Sequence, residues 1–136
     1  MTNKQKKEFL LQYKHVKRSL NSIADEIAEL RASEMGKAIS YDGQPHGTNI
    51  KDLSDYVARL DRLERRYYKK QLQRLRTLDR IERAISAMPT EQYQTILREK
   101  YINLKTWETI AMDFGLEDVR WIYVLHGRAL NEFKLP

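Results

Sequence analysis

Residues 106–130 read TWETIAMDFGLEDVRWIYVLHGRAL. Their apolar positions fall into two short sets on either side of Gly115, a rhythm that predicts two helices joined by a turn. Thr106 is placed to cap the first helix, Gly115 to close it, and Asp118 to cap the second. Helices that cross closely need a small residue at the contact, which Ala111 supplies, and an apolar inner face on the second helix. Ile122, Leu125 and Ala129 provide that face at steps of three and four. Val119, Arg120, Tyr123, Val124, Gly127 and Arg128 are then expected to point outward. The stretch reads as a helix-turn-helix. Its turn is one residue longer than usual in this register. A shorter turn would bury Trp121 in place of Ile122, and the spacing leaves both registers open.

A DNA reader needs positive charge, yet these residues hold Arg120 and Arg128 against Glu108, Asp113, Glu117 and Asp118. The whole chain has a net charge of +6, which permits a nucleic-acid partner without demanding one. Residues 1–49 carry eight Lys and Arg against six acidic residues, and residues 89–136 carry six against seven. The excess lies between them, eleven against six in residues 50–88. It peaks in RRYYKKQLQRLR, residues 65–76, which holds six basic residues and no acidic one. On a helix Arg66, Lys69 and Lys70 lie near one another and Arg74 follows a turn later. Beside the acidic module this surface is expected to grip phosphates while the last helix reads bases. Most charge runs are solvated helix faces, and that reading stands next to it. Lys4, Lys6 and Lys7 form a second cluster, expected at a frayed terminus.

Further out, Thr90 can cap a short helix carrying Tyr93, Ile96, Leu97 and Tyr101, and Asn103-Leu104-Lys105 forms a turn. Upstream of Pro89 the apolar positions Leu53, Tyr56, Val57, Leu60, Leu63 and Tyr67 shift phase to Tyr68, Leu72, Leu75, Leu78, Ile81 and Ile85. That predicts one helix of about 37 residues with a stutter near Tyr67, where the buried face rotates. Tyr13, Val16, Leu20, Ile23, Ile27 and Leu30 keep a strict heptad, so another helix runs from about residue 5 to 33 and lies against a second helix. Between them residues 33–49, SEMGKAISYDGQPHGTN, form a loop.

The expected fold is all-α: an antiparallel, coiled-coil-like hairpin joined by the long helix to the helix-turn-helix. Residues 1–78 would be the hairpin and oligomerisation region, and residues 79–136 the DNA-binding module. One short hairpin leaves apolar surface available, so a homodimer is expected.

Much other chemistry is missing. No apolar run approaches the roughly 20 residues of a membrane span, and no signal-peptide segment is seen, so no membrane partner and a cytoplasmic location are expected. Without Cys there is no disulfide or thiolate metal site. His15, His46 and His126 share no ligand spacing, so no metal is expected. His126 reads as a packed or capping residue and His46 as a turn residue. No phosphate-binding Gly loop, nucleophile elbow or carboxylate pair is present, and Asp52 and Asp55 suit the first turn of a helix. No enzyme activity and no cofactor are expected.

Residues 81–130, IERAISAMPTEQYQTILREKYINLKTWETIAMDFGLEDVRWIYVLHGRAL, resemble the fourth region of sigma factors. They are still more similar to the sigma-like late-gene activators of Gram-positive phages, the ArpU and RinA type. YDGQPHGTNIKDLSDYVARLDRL, residues 41–63, resembles the N-terminal half of a related phage family of small proteins. The resemblance implies a bacterial host cell, DNA recognition by the last helix, and activation of late transcription through RNA polymerase. Glu108, Ile110 and Ala111 match the sigma-like E-I-A, and Asp118 stands where a Ser cap is usual. Ile122, Leu125, Ala129 and Leu130 match the apolar face of the recognition helix. The outward face VRWIYV departs from the pattern, which is richer in Arg, Lys and Gln.

On this basis the base-contacting candidates are Arg120, for guanine, and Tyr123 and Val124, for thymine methyls. The phosphate candidates are Arg66, Lys69, Lys70, Arg74, Thr106 and Arg128. The expected partners are double-stranded DNA, RNA polymerase and a second copy of the chain. Two rival readings stay open. In one, Trp121, Tyr123 and Val124 bind RNA polymerase or another regulator without reading DNA. In the other, the chain is a packaging protein of the small-terminase type.

Overall fold

Apolar periodicity interrupted only by Gly, Pro and capping residues gives five α-helices and, among the described residues, no strand. The computed structural model describes residues 2–39 and 49–136, the side chains at 35–39 and 49–51 excepted. The helices are α1 (Asn3–Ile39), α2 (Asn49–Ser86), α3 (Glu91–Tyr101), α4 (Trp107–Asp113) and α5 (Val119–Glu132). The first is longer than its heptad predicts. Residues 33–39, expected in the loop, are helical because Met35, Lys37 and Ala38 favour helix and Gly36 costs only about 1 kcal/mol. The rest of that loop, with Asp42 and His46, lies outside the described residues.

The chain divides into two compact units, Met1–Lys17 with Arg74–Pro136, and Arg18–Gln73. The first unit takes residues from both ends of the sequence. Its core joins Phe9, Leu10 and Tyr13 of α1 to Ile81, Ile85 and Met88, then to Leu97 and Tyr101 of α3, and to Ala129, Leu130 and Phe133. A second cluster in the same unit contains Ile96, Ile110, Ala111 and Ile122. Polar ties fix the ends of these helices. Arg98 donates to Glu82 at 3.1 Å and to the Ser86 hydroxyl at 2.9 Å, linking α3 to α2. Lys6 Nζ donates to the Leu130 carbonyl at 2.7 Å, one of the unpaired acceptors that end α5. Residues 4–7 are therefore helical, not frayed, with Lys6 engaged on α5. Thr90 holds the N-cap position of α3, but its hydroxyl donates to Glu132 at 2.6 Å and makes no cap bond.

In the second unit Ile23 and Ile27 of α1 pack on Leu63 of α2, flanked by Leu30, Leu60 and Tyr67. Arg31 pairs with Glu64 at 2.9 Å, and Arg66 approaches Glu26 at 3.9 Å. The heptad of α1 behaves as its spacing predicts, with Tyr13, Val16, Leu20, Ile23 and Ile27 all buried. These α1 positions are covered within the chain.

The stutter in α2 does not occur. Tyr68, Leu72 and Leu75, expected to be buried after a rotation of the face, are exposed. The inner face continues instead through the half-buried Tyr67, Lys70, Gln71, Arg74, Thr77 and Leu78 to Ile81 and Ile85. Three of those positions carry polar heads on long stems, which can lie along a helix contact while the head finds a partner. Arg74 does so, donating to the Tyr13 hydroxyl at 3.1 Å.

Candidate nucleic-acid interface

The α4–α5 segment is built by its terminal residues. Thr106 takes extended backbone angles, and its hydroxyl accepts from the Thr109 N–H at 3.2 Å, capping α4. At the other end Gly115 has φ +70°, the left-handed conformation a Cβ disfavours. The Leu116 N–H then reaches the Ala111 carbonyl and the Gly115 N–H the Met112 carbonyl, both at 2.9 Å, which is a Schellman closure. Asp118 caps α5 by accepting from the Arg120 N–H at 2.9 Å.

These stops fix the register. Ile122 is 0% exposed and packs with Ile96, Ile110 and Ala111, whereas Trp121 is 61% exposed. The longer turn places Ile122 inward, and the competing register with a buried Trp121 is excluded. Leu125 is half-buried against the same cluster and Ala129 fully buried. Val119, expected outward, is half-buried because the first turn of α5 packs on the same cluster that Phe114 and Leu116 cover.

The outward face of α5 presents Arg120, Trp121, Tyr123, Val124 and Arg128, all exposed. Met112, at the end of α4, is also exposed. Arg120 is not idle. Its Nε donates to Asp118 at 2.8 Å and its Nη2 lies 2.6 Å from the same carboxylate. That guanidinium, followed by the backbone N–H, holds the Asp118 carboxyl below its usual range. The pair is exposed, so it is weak and opens readily for a better partner.

Behind this face lies a cluster that the sequence reading placed only in part. His126 is buried, and its Nε2 lies 2.8 Å from the Tyr101 hydroxyl. The Trp107 ring sits 4.6 Å from the imidazole and 5.5 Å from the Tyr123 ring, both edge-on, and Lys100 Nζ stands 4.5 Å over Trp107. Burial, helped by the charges of Lys7 and Lys100, lowers the His126 pKa to about 4. Burial pushes the Tyr101 hydroxyl up to about 12. The pair is therefore neutral at pH 7 and joined by one hydrogen bond whose donor is set by the imidazole tautomer. Tyr101, Trp107 and His126 come from three helices at unrelated spacings, so no local motif could announce them. Through Trp107 the cluster contacts the Tyr123 ring.

The phosphate candidates divide between the units. Arg66, Lys69 and Lys70 belong to the second, and Arg74, Thr106 and Arg128 to the first. Lys70 also donates to Gln73 at 3.2 Å, while Lys69 and Arg128 are exposed. Arg74 is half-buried on Tyr13, and the Thr106 hydroxyl is committed to its cap. Among the described residues no group of three His, Asp or Glu could hold a metal ion, and no helix is long and apolar enough to cross a membrane. Compared with protein-family models, with curated proteins and with solved structures, the chain finds no match.

Proposed function

We propose that the chain is a sequence-specific double-stranded DNA-binding protein of phage-type transcription control, with α4, the turn and α5 acting as a helix-turn-helix. One observation carries the reading. The 14-residue α5 is capped at its start and buried along Ile122, Ala129 and Leu130, yet leaves Arg120, Tyr123 and Val124 in solvent. A rigid helix about 21 Å long with a free N-terminal face suits the major groove. Arg120 then exchanges Asp118 for the O6 and N7 acceptors of guanine, and Tyr123 and Val124 touch thymine methyls. Arg66, Lys69, Lys70 and Arg128 hold phosphates, while α1 and α2 form an antiparallel hairpin. The pairs Arg31–Glu64 and Glu26–Arg66 support the hairpin, because the partner number rises as the α1 number falls. Late-gene activation through RNA polymerase, in the cytoplasm of a bacterial host, completes the proposal.

Binding through about four phosphates should weaken roughly 10²-fold between 50 and 200 mM salt. Arg120→Ala should cost about 1–3 kcal/mol at one base pair, and Arg66→Ala with Lys70→Ala should weaken all duplexes alike and flatten the salt slope. Titration of specific and random duplexes by fluorescence anisotropy reads both effects. Equal losses on both duplexes for both variants would refute this division of labour.

A second reading has its own support. Met112 of α4 and Trp121, Tyr123 and Val124 of α5 are exposed apolar side chains in a segment that also carries Glu108, Asp113 and Glu117, a composition that suits a protein partner. Capture of polymerase by such a surface should hardly respond to salt, and Trp121→Ala would abolish it.

A further inference from the structure

Among the described residues of the second unit, four large apolar side chains of α2 remain exposed: Leu53, Val57, Tyr68 and Leu72. They lie on one stripe, because steps of four and of eleven residues each return to nearly the same side of a helix. Their spacing reads the same in both directions, four, eleven and four. A two-fold axis at the level of Arg62 and Leu63 therefore maps the set onto itself. In an antiparallel pair of α2 helices, Leu53 comes opposite Leu72 and Val57 opposite Tyr68, each twice. Self-complementarity of this kind is the requirement of an isologous contact.

Shape and charge agree with that register. An open groove beside Val57 is lined by Leu53, Ser54, Val57, Ala58 and Asp61. Ser54, Val57, Ala58 and Asp61 stand at i, i+3, i+4 and i+7, the four corners of a knobs-into-holes socket, and two of the corners are small. Tyr68, at 70% exposure, is the projecting side chain that the two-fold delivers to this socket. The middle of the stripe carries Asp61 and Glu64, which would repel their copies if bare. Each already has its counter-charge, Arg65 at 3.0 Å from Asp61 and Arg31 at 2.9 Å from Glu64.

We propose that two copies of the chain form an antiparallel dimer along this outer stripe of α2, with Tyr68 of each seated between Val57 and Ala58 of the other. The contact does not rest on the DNA reading and forms without DNA. Sedimentation equilibrium at about 100 µM should give twice the 16.2 kDa chain mass. Val57→Arg should weaken association by roughly 100-fold with no loss of helicity, since Val57 is exposed within one chain. The chain has no Cys, so introduced thiols report the register directly. Val57→Cys with Tyr68→Cys should give a covalent dimer on mild oxidation, and neither single variant should, because each would lie about 16 Å from its own copy. A monomeric wild type, a dimer indifferent to Val57→Arg, or cross-linking by either single variant would overturn the proposal.

Discussion

Ile122→Ala should lower the stability of the first unit by about 2–5 kcal/mol, while Trp121→Ala should change it by no more than about 0.5 kcal/mol. The two residues are adjacent, and hydrophobicity alone would rank the larger ring as the greater loss. Burial reverses that order. Ile122 is fully enclosed by Ile96, Ile110 and Ala111, so truncation leaves a cavity where three helices meet. Trp121 gives up only a surface already wet. In a unit of this size the first substitution should lower the Tm by more than about 10 °C. Thermal unfolding followed by circular dichroism checks both values, and a larger effect from Trp121→Ala would contradict the register of α5.

Acid should weaken the same unit before ordinary carboxylates protonate. The buried imidazole of His126 has its pKa lowered to about 4, against about 6.5 in an unfolded chain. Between those values the unfolded chain binds the extra proton, so stability is complete above about pH 6.5 and falls as pH drops toward 4. The shift corresponds to a loss of about 3 kcal/mol over that window. The new charge would sit between Tyr101 and Trp107, near the cations of Lys7 and Lys100, which oppose it. His126→Gln keeps a group able to bond the Tyr101 hydroxyl but does not titrate. Urea midpoints at pH 7 and pH 4.5 should differ strongly for the wild type and much less for the variant. A wild-type midpoint constant across that range would show that His126 is not buried as described.

The C-terminal helices were largely legible in the sequence because their signals are local. A Thr, a Gly and an Asp at helix ends act on the next few backbone groups, and each needs no distant partner. The heptad of α1 was legible for the same reason, as a face. What covers a face is not local. Phe9 and Leu10 pack with Leu130 and Phe133 from the other end of the chain, and nothing in their spacing says so. The error in α2 is instructive. Tyr68, Leu72 and Leu75 repeat as a core would, but Arg74 reaches Tyr13 from a seam of polar residues, leaving the apolar set outside. The candidate site shows the same limit. Arg120 was identifiable as an outward residue, whereas its engagement with Asp118 depends on side-chain geometry two residues away.

We propose that the exposed face of α5 reads base pairs. Selection of bound duplexes from a random library tests it most directly, run in parallel on the wild type and Arg120→Ala. A shared sequence should emerge for the wild type, containing a G·C pair that the variant no longer requires. Recovery of no common sequence, or of one unchanged by Arg120→Ala, would contradict the claim.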